Sequence, residues 1–400
     1  MNILVFNCGS SSQNYKLYRV SAKNLDLLCK GKAHRVGVIG KEPSFIEHAW
    51  GGHIERLEQP IPNHALAAGL ILDFLQVKGF KIDAIGHRFV HGGSVYQHSI
   101  IITPEVYANL ESLNPLAPIH NPNSLSVINV CRERLPGLPE TLTFDTAFHS
   151  GMLESAYTYA LPAEWRERLG LRKYGFHGLS YQYVTHKAAD FLQRPIESLR
   201  MVACHLGTGG SSVVAIDGGK SIDTTMGYSP LPGLVMSTRS GDLDAEIVVD
   251  LLKQGMTTTA ISNLLNKKSG LLGVSGISSD FRDVLAVAAD DENARLAIDL
   301  YTQRLRKTIG AFTTLLGGID VLLFTDDIGL QNPTVRALGC RNLEWAGVEL
   351  DESVNESAPL DRVSDVSRAG SAVRILVLPT DEEYVIAEET LRVLTEAKHG

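Results

Sequence analysis

A strand–turn–strand pattern opens the chain and recurs in its second half, and this repeat constrains the fold more than any other feature. The apolar run Ile3–Phe6 breaks into the short polar stretch Asn7–Ser12, after which a partly alternating run follows. Met201–His205 likewise breaks into Leu206–Ser212 and resumes as the apolar run Val213–Ile216. Each pattern predicts a strand, a tight turn and a second strand. Because alternating strands and helices follow both copies, we expect an α/β protein with two similar domains facing a central cleft.

The two turns are rich in glycine and in short hydroxyl side chains. Such residues allow backbone N–H groups to come close to an anion, and their hydroxyls add hydrogen-bond donors. We therefore interpret Asn7–Ser12 as a phosphate-binding hairpin, which Gly207–Ser212 would complement. The alternative for the first stretch alone is an ordinary serine-rich turn, since a short Gly/Ser turn is a weak signal.

Composition narrows the class of protein. A chain of 400 residues is too long for one hydrophobic core, so two or three domains are expected. The net charge of −8 argues against nucleic-acid or acidic-membrane binding. No apolar run reaches the ~18 residues of a membrane span. Met1 leads directly into a predicted strand and lacks the basic and apolar regions typical of a signal peptide, so we expect none. The five cysteines are scattered without a C-x-x-C pair, which favours a reducing cytoplasm over a disulfide framework or a zinc site.

Three stretches carry further structural predictions. Leu25–Val38 has the pattern of a pair of strands, and Phe324–Asn332 reads as a strand end followed by a loop. Tyr384–Ala397 has helical periodicity, with acidic residues just before it that suit a helix N-terminus.

Polar residues lie at the ends of the predicted strands and in the turns between elements. In α/β sheets ligands bind beyond the carboxyl ends of the strands. The strand-end residues are Asn7, Arg88, Asp145, His205 and Asp326, and the turn residues are His120, His177 and Arg239. Arginines suit phosphate and carboxylate groups, and carboxylates such as Asp145 and Glu382 suit Mg²⁺. Together they favour a phosphate-handling enzyme.

Each of these residues also has an ordinary structural interpretation. An arginine beside glycines often forms a surface ion pair, a strand-end aspartate often caps a helix, and a histidine beside glycine is often a core residue. The chain contains none of four common motifs: the P-loop, the G-x-G-x-x-G fingerprint, H-E-x-x-H and the G-x-S-x-G elbow.

Nine strings resemble the acetate kinase family, in that family's order and over nearly the whole chain. They are NCGSSSQNYK, GHRFVHGG, LAPIHNPNSL, FDTAFH, YGFHGLSY, HLGTGGSS, DTTMGYSPLPGLVMSTRSGDLD, SGLLGVSGISSDFRDV and LPTDEEYVIAEET. The resemblance implies two actin-like (RNase-H-like) domains, usually in a homodimer. It also implies reversible phosphoryl transfer between ATP and acetate or propionate, with Mg²⁺ (or Mn²⁺) as cofactor and with neither nucleic acid nor membrane as a partner.

The resemblance carries roles over to individual residues. Catalytic roles fall on Arg88, Asp145, His177 and Arg239, and carboxylate-substrate binding falls on Arg88, Val90, Ile119, His120, Phe176 and Pro230. Phosphate or nucleotide binding falls on Asn7, Ser10, Ser12, His205, Gly207, Thr208, Gly209, Asp280, Phe281, Arg282, Asp327 and Gly329. Metal binding falls on Asn7, Asp145 and Glu382. The expected domains are residues 1–147 with a returning helix in 381–400, and residues 148–380, which carry the phosphoryl-donor loops.

Several positions depart from the family pattern on the side of the phosphoryl donor. Asn14 stands where the pattern has lysine, Thr208 and Asp381 each replace an asparagine, and Asp326 and Asp327 replace two glycines. Aspartates add bulk and negative charge where a glycine would let the backbone approach a phosphate. Four hypotheses stay open: an ATP-dependent acyl kinase, an acyl kinase with another donor such as pyrophosphate, a non-catalytic paralogue, and an actin-like filament protein.

Overall fold

The computed structural model describes residues 1–21, 24–38, 40 and 42–399. The expected domain end at residue 400 lies outside them. The strands are β1 Asn2–Cys8, β2 Ser12–Val20, β3 Leu25–His34, β4 Phe45–Trp50, β5 His53–Glu58, β6 Ala84–Phe89, β7 Ile100–Ile101, β8 Glu140–Phe144, β9 Arg200–Gly207, β10 Gly210–Asp217, β11 Lys220–Thr224, β12 Val321–Thr325, β13 Ser364–Asp365 and β14 Arg374–Val377.

The helices are α1 His64–Val77, α2 Pro104–Leu110, α3 Asn121–Arg134, α4 Glu154–Tyr157, α5 Ala163–Leu169, α6 Gly178–Leu192, α7 Ala245–Lys253, α8 Thr258–Lys267, α9 Gly270–Ser275, α10 Phe281–Val287, α11 Glu292–Leu315, α12 Asp326–Gln331, α13 Pro333–Cys340, α14 Glu352–Glu356 and α15 Glu382–His399. Short 3-10 helices cover Glu111–Leu116, Ala147–His149, Ile196–Ser198 and Glu344–Ala346. In the part of the chain that is described, no helix combines the length and the apolar character needed to cross a membrane.

The chain divides into two compact units, of which the first comprises Met1–Ala147 and Asp381–Gly400. Its sheet has eight strands in the order β5-β4-β3-β2-β1-β6-β8-β7. β1 pairs antiparallel with β2 and parallel with β6, and β6 pairs parallel with β8. The carboxyl ends of β1, β6 and β8 therefore meet at one edge of the sheet, as α/β ligand sites require.

The second unit, Phe148–Thr380, repeats this arrangement. Its six-stranded sheet has the order β11-β10-β9-β12-β14-β13. β9 pairs antiparallel with β10 and parallel with β12, and β12 pairs parallel with β14. In both units the first strand lies between its hairpin partner and a parallel strand, which is the actin-like order. The repeat predicted from the two Gly/Ser turns is confirmed.

Burial on both faces explains why the first strand of each unit is almost wholly apolar. In β9, Val202 packs in the core beside α11, whereas Ala203 points to the opposite face and packs in the core beside α6. A strand covered on both faces needs apolar residues at every position, so it loses the alternation of a half-exposed strand. β2 does alternate: Gln13, Tyr15 and Leu17 are buried and the residues between them are partly exposed.

Two local predictions were wrong. Leu25–Val38 contains one strand, β3, because its partners are β2 and β4 rather than a second strand within the same stretch. The predicted loop after Phe324 forms the short helix α12. The helix begins at Asp326, whose φ of 64° places a non-glycine residue in the left-handed region.

Candidate functional site

Arg88 lies at the centre of a polar cluster at the strand ends of the first unit. Its Nε donates to Asp145 Oδ1 at 2.8 Å and its Nη2 donates to Asp145 Oδ2 at 2.5 Å. Its Nη1 donates to Asn7 Oδ1 at 3.0 Å. The two-pronged contact fixes the guanidinium plane, as expected for an arginine–carboxylate pair. The structure therefore brings together three of the predicted strand-end residues, Asn7, Arg88 and Asp145.

The start of α15 adds carboxylates to this cluster. Asn7 Nδ2 donates to Glu382 Oε2 at 3.0 Å and to Glu383 Oε1 at 2.8 Å. Arg88 Nη1 lies 4.0 Å from Glu382 Oε2. Burial alone would lower the pKa of Arg88, but the charges of Asp145 and Glu382 outweigh it and raise that pKa above its ordinary value. The guanidinium is therefore permanently charged.

The other predicted residues of the first unit are placed less tightly. Val90 is buried directly after β6, Ile119 is 55% exposed, and His120 precedes α3 as its N-cap residue. Ser10 is exposed in the first turn, and the carbonyl of Ser12 accepts the Gly9 N–H at 2.8 Å. Val90 therefore lies at the end of β6, whereas Ser10 lies in the first turn.

A concavity elsewhere in this unit is a weaker candidate for the functional site than the Arg88 cluster. It is bounded by Met1, Asp83 and Pro139 among others, and it lies at the amino-terminal ends of β1, β6 and β8. That is the opposite edge of the sheet from Asn7 and Arg88, and ligands of α/β sheets bind at the carboxyl edge.

In the second unit, His177 and His205 form a stacked pair beside the second turn. Their ring centroids lie 4.0 Å apart with an interplanar angle of 25°. His177 Nδ1 lies 2.8 Å from Ser212 Oγ, and Ser212 in turn contacts the Tyr181 hydroxyl. His177 has a φ of 60°, a left-handed conformation that is uncommon outside glycine and clusters at functional sites. This network orients the ring and leaves Nε2 as the nitrogen on the side of the turn.

Arg239 approaches the same turn. Its Nη1 donates to the Pro230 carbonyl at 3.3 Å, and no described carboxylate of its own unit forms an ion pair with its guanidinium. Burial lowers the pKa of Arg239 without a compensating charge. A Cβ added at Gly210 would lie 2.8 Å from Arg239 Nη1 and 3.6 Å from His177 Nε2. The glycine thus permits the Arg239 and His177 side chains to approach one point of the backbone.

Two donors of the second turn, both from Thr208, are already engaged by Asp327. Thr208 N–H donates to Asp327 Oδ1 at 2.8 Å, and Thr208 Oγ1 donates to Asp327 Oδ2 at 2.6 Å. Asp326 Oδ2 lies 3.0 Å from His205 Nε2 and fills the space beside Gly207 that a Cβ would need. Two carboxylates therefore occupy a turn whose sequence is typical of phosphate binding.

The remaining predicted residues of the second unit divide into pairs and core positions. Arg282 contacts Asp280 at 2.6 Å, and that hydrogen bond, together with the charges of Asp280 and Asp327, raises the pKa of Arg282. Phe281 and Phe176 are buried, and the Phe176 carbonyl lies 2.9 Å from His149 Nε2. Gly209 lies at the tip of the turn, and Gly329 lies inside α12.

The carboxylate and amide oxygens of the first-unit cluster are ligands of the type that Mg²⁺ prefers. Over the described residues, no group of three or more His, Cys, Asp or Glu side chains is arranged to hold a metal ion. Both Asp145 oxygens accept hydrogen bonds from Arg88, and Glu382 Oε2 accepts one from Asn7 Nδ2. The cluster thus holds two carboxylates near one guanidinium, since Glu382 Oε2 lies 4.0 Å from Arg88 Nη1. Mg²⁺ is commonly held by one or two carboxylates together with substrate phosphates. The set fits an ion that arrives with a phosphorylated ligand.

Comparison with known proteins decides the family. The acetokinase family model matches residues 2–388. The chain belongs to the acetokinase family. It is 44% identical to acetate kinase of Dictyoglomus turgidum, over 99% of this chain and 98% of that protein.

Two solved structures resemble this chain over nearly its whole length. The crystal structure of acetate kinase from Entamoeba histolytica superposes with a TM-score of 0.89 at 41% identity, over 99% of this chain and 100% of that one. A propionate kinase from Francisella tularensis superposes with a TM-score of 0.89 at 34% identity, over 98% of this chain and 99% of that one.

Several contact residues of the two clusters were missed from the sequence. Glu383 and Lys16 join the Arg88 cluster, and Ser212 and Tyr181 orient His177. Asn14, which the sequence marked only as a departure from the family pattern, also joins the Arg88 cluster. For Lys16 and Asn14 a signal was available, because both lie at alternate positions of the strand that follows the first turn. Nothing in the sequence indicated Tyr181, whose hydroxyl contact depends on the packing of α6.

Proposed function

We propose that this chain catalyses the reversible transfer of a phosphoryl group between ATP and acetate or propionate, with the acyl phosphate and ADP as products. Membership of the acetokinase family over nearly the whole chain makes it a phosphotransferase with a carboxyl group as acceptor. The observation that carries the assignment of roles is Arg239, a largely buried guanidinium without a carboxylate of its own unit, beside His177 and the second turn. Such an arginine is suited to an anionic substrate.

The proposed reaction is a direct in-line transfer. A carboxylate oxygen of acetate attacks the γ-phosphorus, the bond from that phosphorus to the β–γ bridging oxygen breaks, and ADP leaves with the electron pair. Catalysis of such a step consists of positioning and charge neutralisation. Arg88 and Arg239 neutralise the equatorial oxygens and the acceptor carboxylate, and His177 donates a hydrogen bond to the developing charge. Asp145 holds Arg88 in its orientation.

Mg²⁺ has a defined place in this proposal. Glu382, with Asp145 and Asn7, would hold the ion that accompanies the phosphoryl donor. When bound, the ion neutralises charge on the phosphate oxygens. Mn²⁺ prefers the same oxygen ligands and would substitute.

The acceptor is a short carboxylic acid. We assign its methyl group to Val90, Ile119, Phe176 and Pro230, all apolar, with His120 nearby in sequence. One methylene in a small apolar pocket changes binding by only ~1–3 kcal/mol, so both acetate and propionate are candidate substrates. Comparing kcat/KM for the two acids measures the preference.

A second candidate function keeps the acyl-phosphate chemistry with a donor other than ATP, such as pyrophosphate. The observation that favours it is the pair of hydrogen bonds from Thr208 to Asp327. They use the two donors from which a nucleotide phosphate would otherwise accept hydrogen bonds. A smaller phosphate donor makes fewer contacts with that turn.

The quaternary state and compartment complete the proposal. Helix α7 has no buried residue, and its Ile247, Val249 and Leu252 are 48%, 40% and 44% exposed. An apolar stripe on a helix without a buried face supports a homodimer contact. Equilibrium sedimentation of wild-type protein and of Leu252→Asp tests the homodimer, and a monomeric wild-type protein would contradict it.

Free buried cysteines support a cytoplasmic location.

The decisive experiment traps acetyl phosphate as its hydroxamate. Purified protein is incubated with acetate, Mg²⁺ and, in turn, ATP, GTP, pyrophosphate and polyphosphate. We expect the highest rate with ATP. Arg239→Ala protein, purified identically, serves as the control for contaminating kinases.

Each other outcome selects one alternative. A higher rate with pyrophosphate than with ATP would establish the second candidate function. Background rates with every donor would show a non-catalytic paralogue. Sedimenting polymers in the presence of ATP, without turnover, would indicate the filament protein.

A further inference from the structure

Lys16 lies on the face of β2 that carries Ser12 and Asn14. Within β2, Gln13, Tyr15 and Leu17 are buried, whereas Ser12, Asn14 and Lys16 are partly exposed. Because side chains alternate along a strand, Asn14 and Lys16 project from the same face two residues apart. In the register with β1, Asn14 is opposite Asn7 and Lys16 is opposite Val5.

The ammonium of Lys16 contacts two carboxylates at the start of α15. Lys16 Nζ lies 2.6 Å from Asp381 Oδ2 and 3.4 Å from Glu383 Oε2. The side chains of Lys16, Asp381 and Glu383 are 19%, 27% and 10% exposed. Such partial burial limits the screening of this pair by solvent compared with a fully exposed ion pair.

Glu383 links this ion pair to the Arg88 cluster. Its Oε1 accepts from Asn7 Nδ2 at 2.8 Å and from Asn14 Nδ2 at 3.1 Å. Arginine is only a donor, so the contact from Arg88 Nη1 to Asn7 Oδ1 at 3.0 Å sets the orientation of the Asn7 amide. The amide nitrogen must then face the glutamates. A continuous relay runs from Lys16 through Glu383 and Asn7 to Arg88.

The positive charge of Lys16 compensates the carboxylates at the start of α15. Asp381 and Glu383 both contact Lys16, so replacing Lys16 with a neutral residue leaves these two carboxylates without that cation. Uncompensated carboxylates repel one another and repel a phosphate. Asp381 and Glu383 would also be left partly buried without their charged partner, which favours rearrangement of the side chains.

We infer that Lys16 is a positioning residue: it anchors Glu383, so that Asn7 holds Arg88 in place and the carboxylates do not repel the phosphorylated substrate. This role rests on the proposed function of the Arg88 cluster. Lys16 touches neither substrate nor metal in this account, and it acts through Glu383 and Asn7.

The kinetic test compares four proteins. Lys16→Met should lower kcat/KM for the phosphoryl donor about tenfold, through repulsion by an uncompensated carboxylate, with a smaller change in the KM for acetate. Lys16→Arg should restore most of the loss. Asn14→Lys in the Lys16→Met background should also restore it, because position 14 already reaches Glu383 from the same face. Lys30→Met, which removes an exposed lysine at the register position of Lys16 in β3, is the matched control and should behave as wild type.

Two kinetic results would overturn the inference. One is an unchanged kcat/KM in Lys16→Met. The other is a loss that neither Lys16→Arg nor the transplanted lysine repairs, since a general structural role would not be rescued by moving the charge.

A crystal structure of Lys16→Met tests the relay without reference to turnover. We expect Glu383 to leave its position and the Asn7–Arg88 contact to open. An Asn7–Arg88 hydrogen bond at its present length would refute the positioning role even if activity fell. If wild-type protein forms no acyl phosphate with any donor, the proposed function fails, whereas the relay is still decided by this structure.

Discussion

The two Gly/Ser turns occupy equivalent places in two sheets whose central strands have the same order. The charged side chains beside them differ: an arginine lies beside the first turn, and two aspartates lie beside the second. Beside the first turn, the strand parallel to β1 carries Arg88 next to its last residue, and Arg88 is bound by Asp145 and by Asn7. Beside the second turn, the strand parallel to β9 is followed by Asp326 and Asp327, which engage His205 and Thr208.

The difference shows how one architecture supports two roles. In the first unit every acidic side chain of the cluster meets a cation or an amide, so the cluster is a preformed site with its arginine fixed. In the second unit, Arg239 is without a carboxylate of its own unit, whereas the turn donors are already bound to an internal anion. An incoming phosphate there must displace Asp327 or bind around it, at a cost in affinity.

The largest expected effect separates the two arginines. Arg88→Ala and Arg239→Ala should each lower kcat by at least about 10²–10³-fold, because each removes charge neutralisation in the transition state. Their stabilities should differ. Arg88→Ala leaves the nearly buried Asp145 unpaired and should lower the free energy of unfolding by about 3–5 kcal/mol. Arg239→Ala should cost about 1 kcal/mol or less.

Coupled kinetic assays and urea unfolding measure these two quantities. Arg88→Lys and Arg239→Lys are the charge-preserving controls. Equal losses of stability in the two alanine variants would break the distinction between a paired and an unpaired arginine.

The next effect concerns the space beside the second turn. Gly210→Ala places a methyl group 2.8 Å from Arg239 Nη1 and should displace the guanidinium. A misplacement of about 1 Å costs up to about 10²-fold in rate, so we expect kcat to fall about 10- to 100-fold. Gly310→Ala, in helix α11, whose Cβ would meet no atom within 4 Å, is the control. Similar rates for both variants would argue that Arg239 does not act from this position.

A smaller effect tests the internal anion. Asp327→Ala frees the Thr208 N–H and hydroxyl, and removing one negative charge from the turn should lower the KM for ATP about tenfold. The KM for acetate should not change. Asp290→Ala, which removes an exposed carboxylate elsewhere in the second unit, is the control. An unchanged KM for ATP in Asp327→Ala would mean that this carboxylate does not compete with the donor.

The smallest effect is an expected absence of reaction. The first strands of the two units carry Cys8 and Cys204, which are 1% and 0% exposed. Burial raises the pKa of Cys8 to about 12 and that of Cys204 well above its usual value. Thiolates are the reactive species, so folded protein at pH 8 should resist Ellman's reagent, and unfolded protein should react fully. Fast reaction of one thiol would show that its strand opens in solution.

The sequence predicted much of this site because its signals are local. An apolar run that ends in a polar residue marks a strand end, and parallel strands bring such ends to one edge of a sheet, which placed Asn7, Arg88 and Asp145 together. The predicted repeat of the fold rests on the same kind of signal. Residues whose role depends on a distant partner gave no such signal, and the predicted loop at Asp326 proved to be a helix.

The sequence by itself therefore determined the strand–turn–strand repeat, the acetokinase family and the residue types at the strand ends. Periodicity and motifs involve residues that are close together in sequence, so they can be recognised without the fold. Only the tertiary structure decided which charges meet. Lys16 and Asp381 are 365 residues apart in sequence, and Thr208 and Asp327 are 119 apart. Their contacts depend on how α15 and α12 pack against the sheets, and packing joins residues that no local pattern relates.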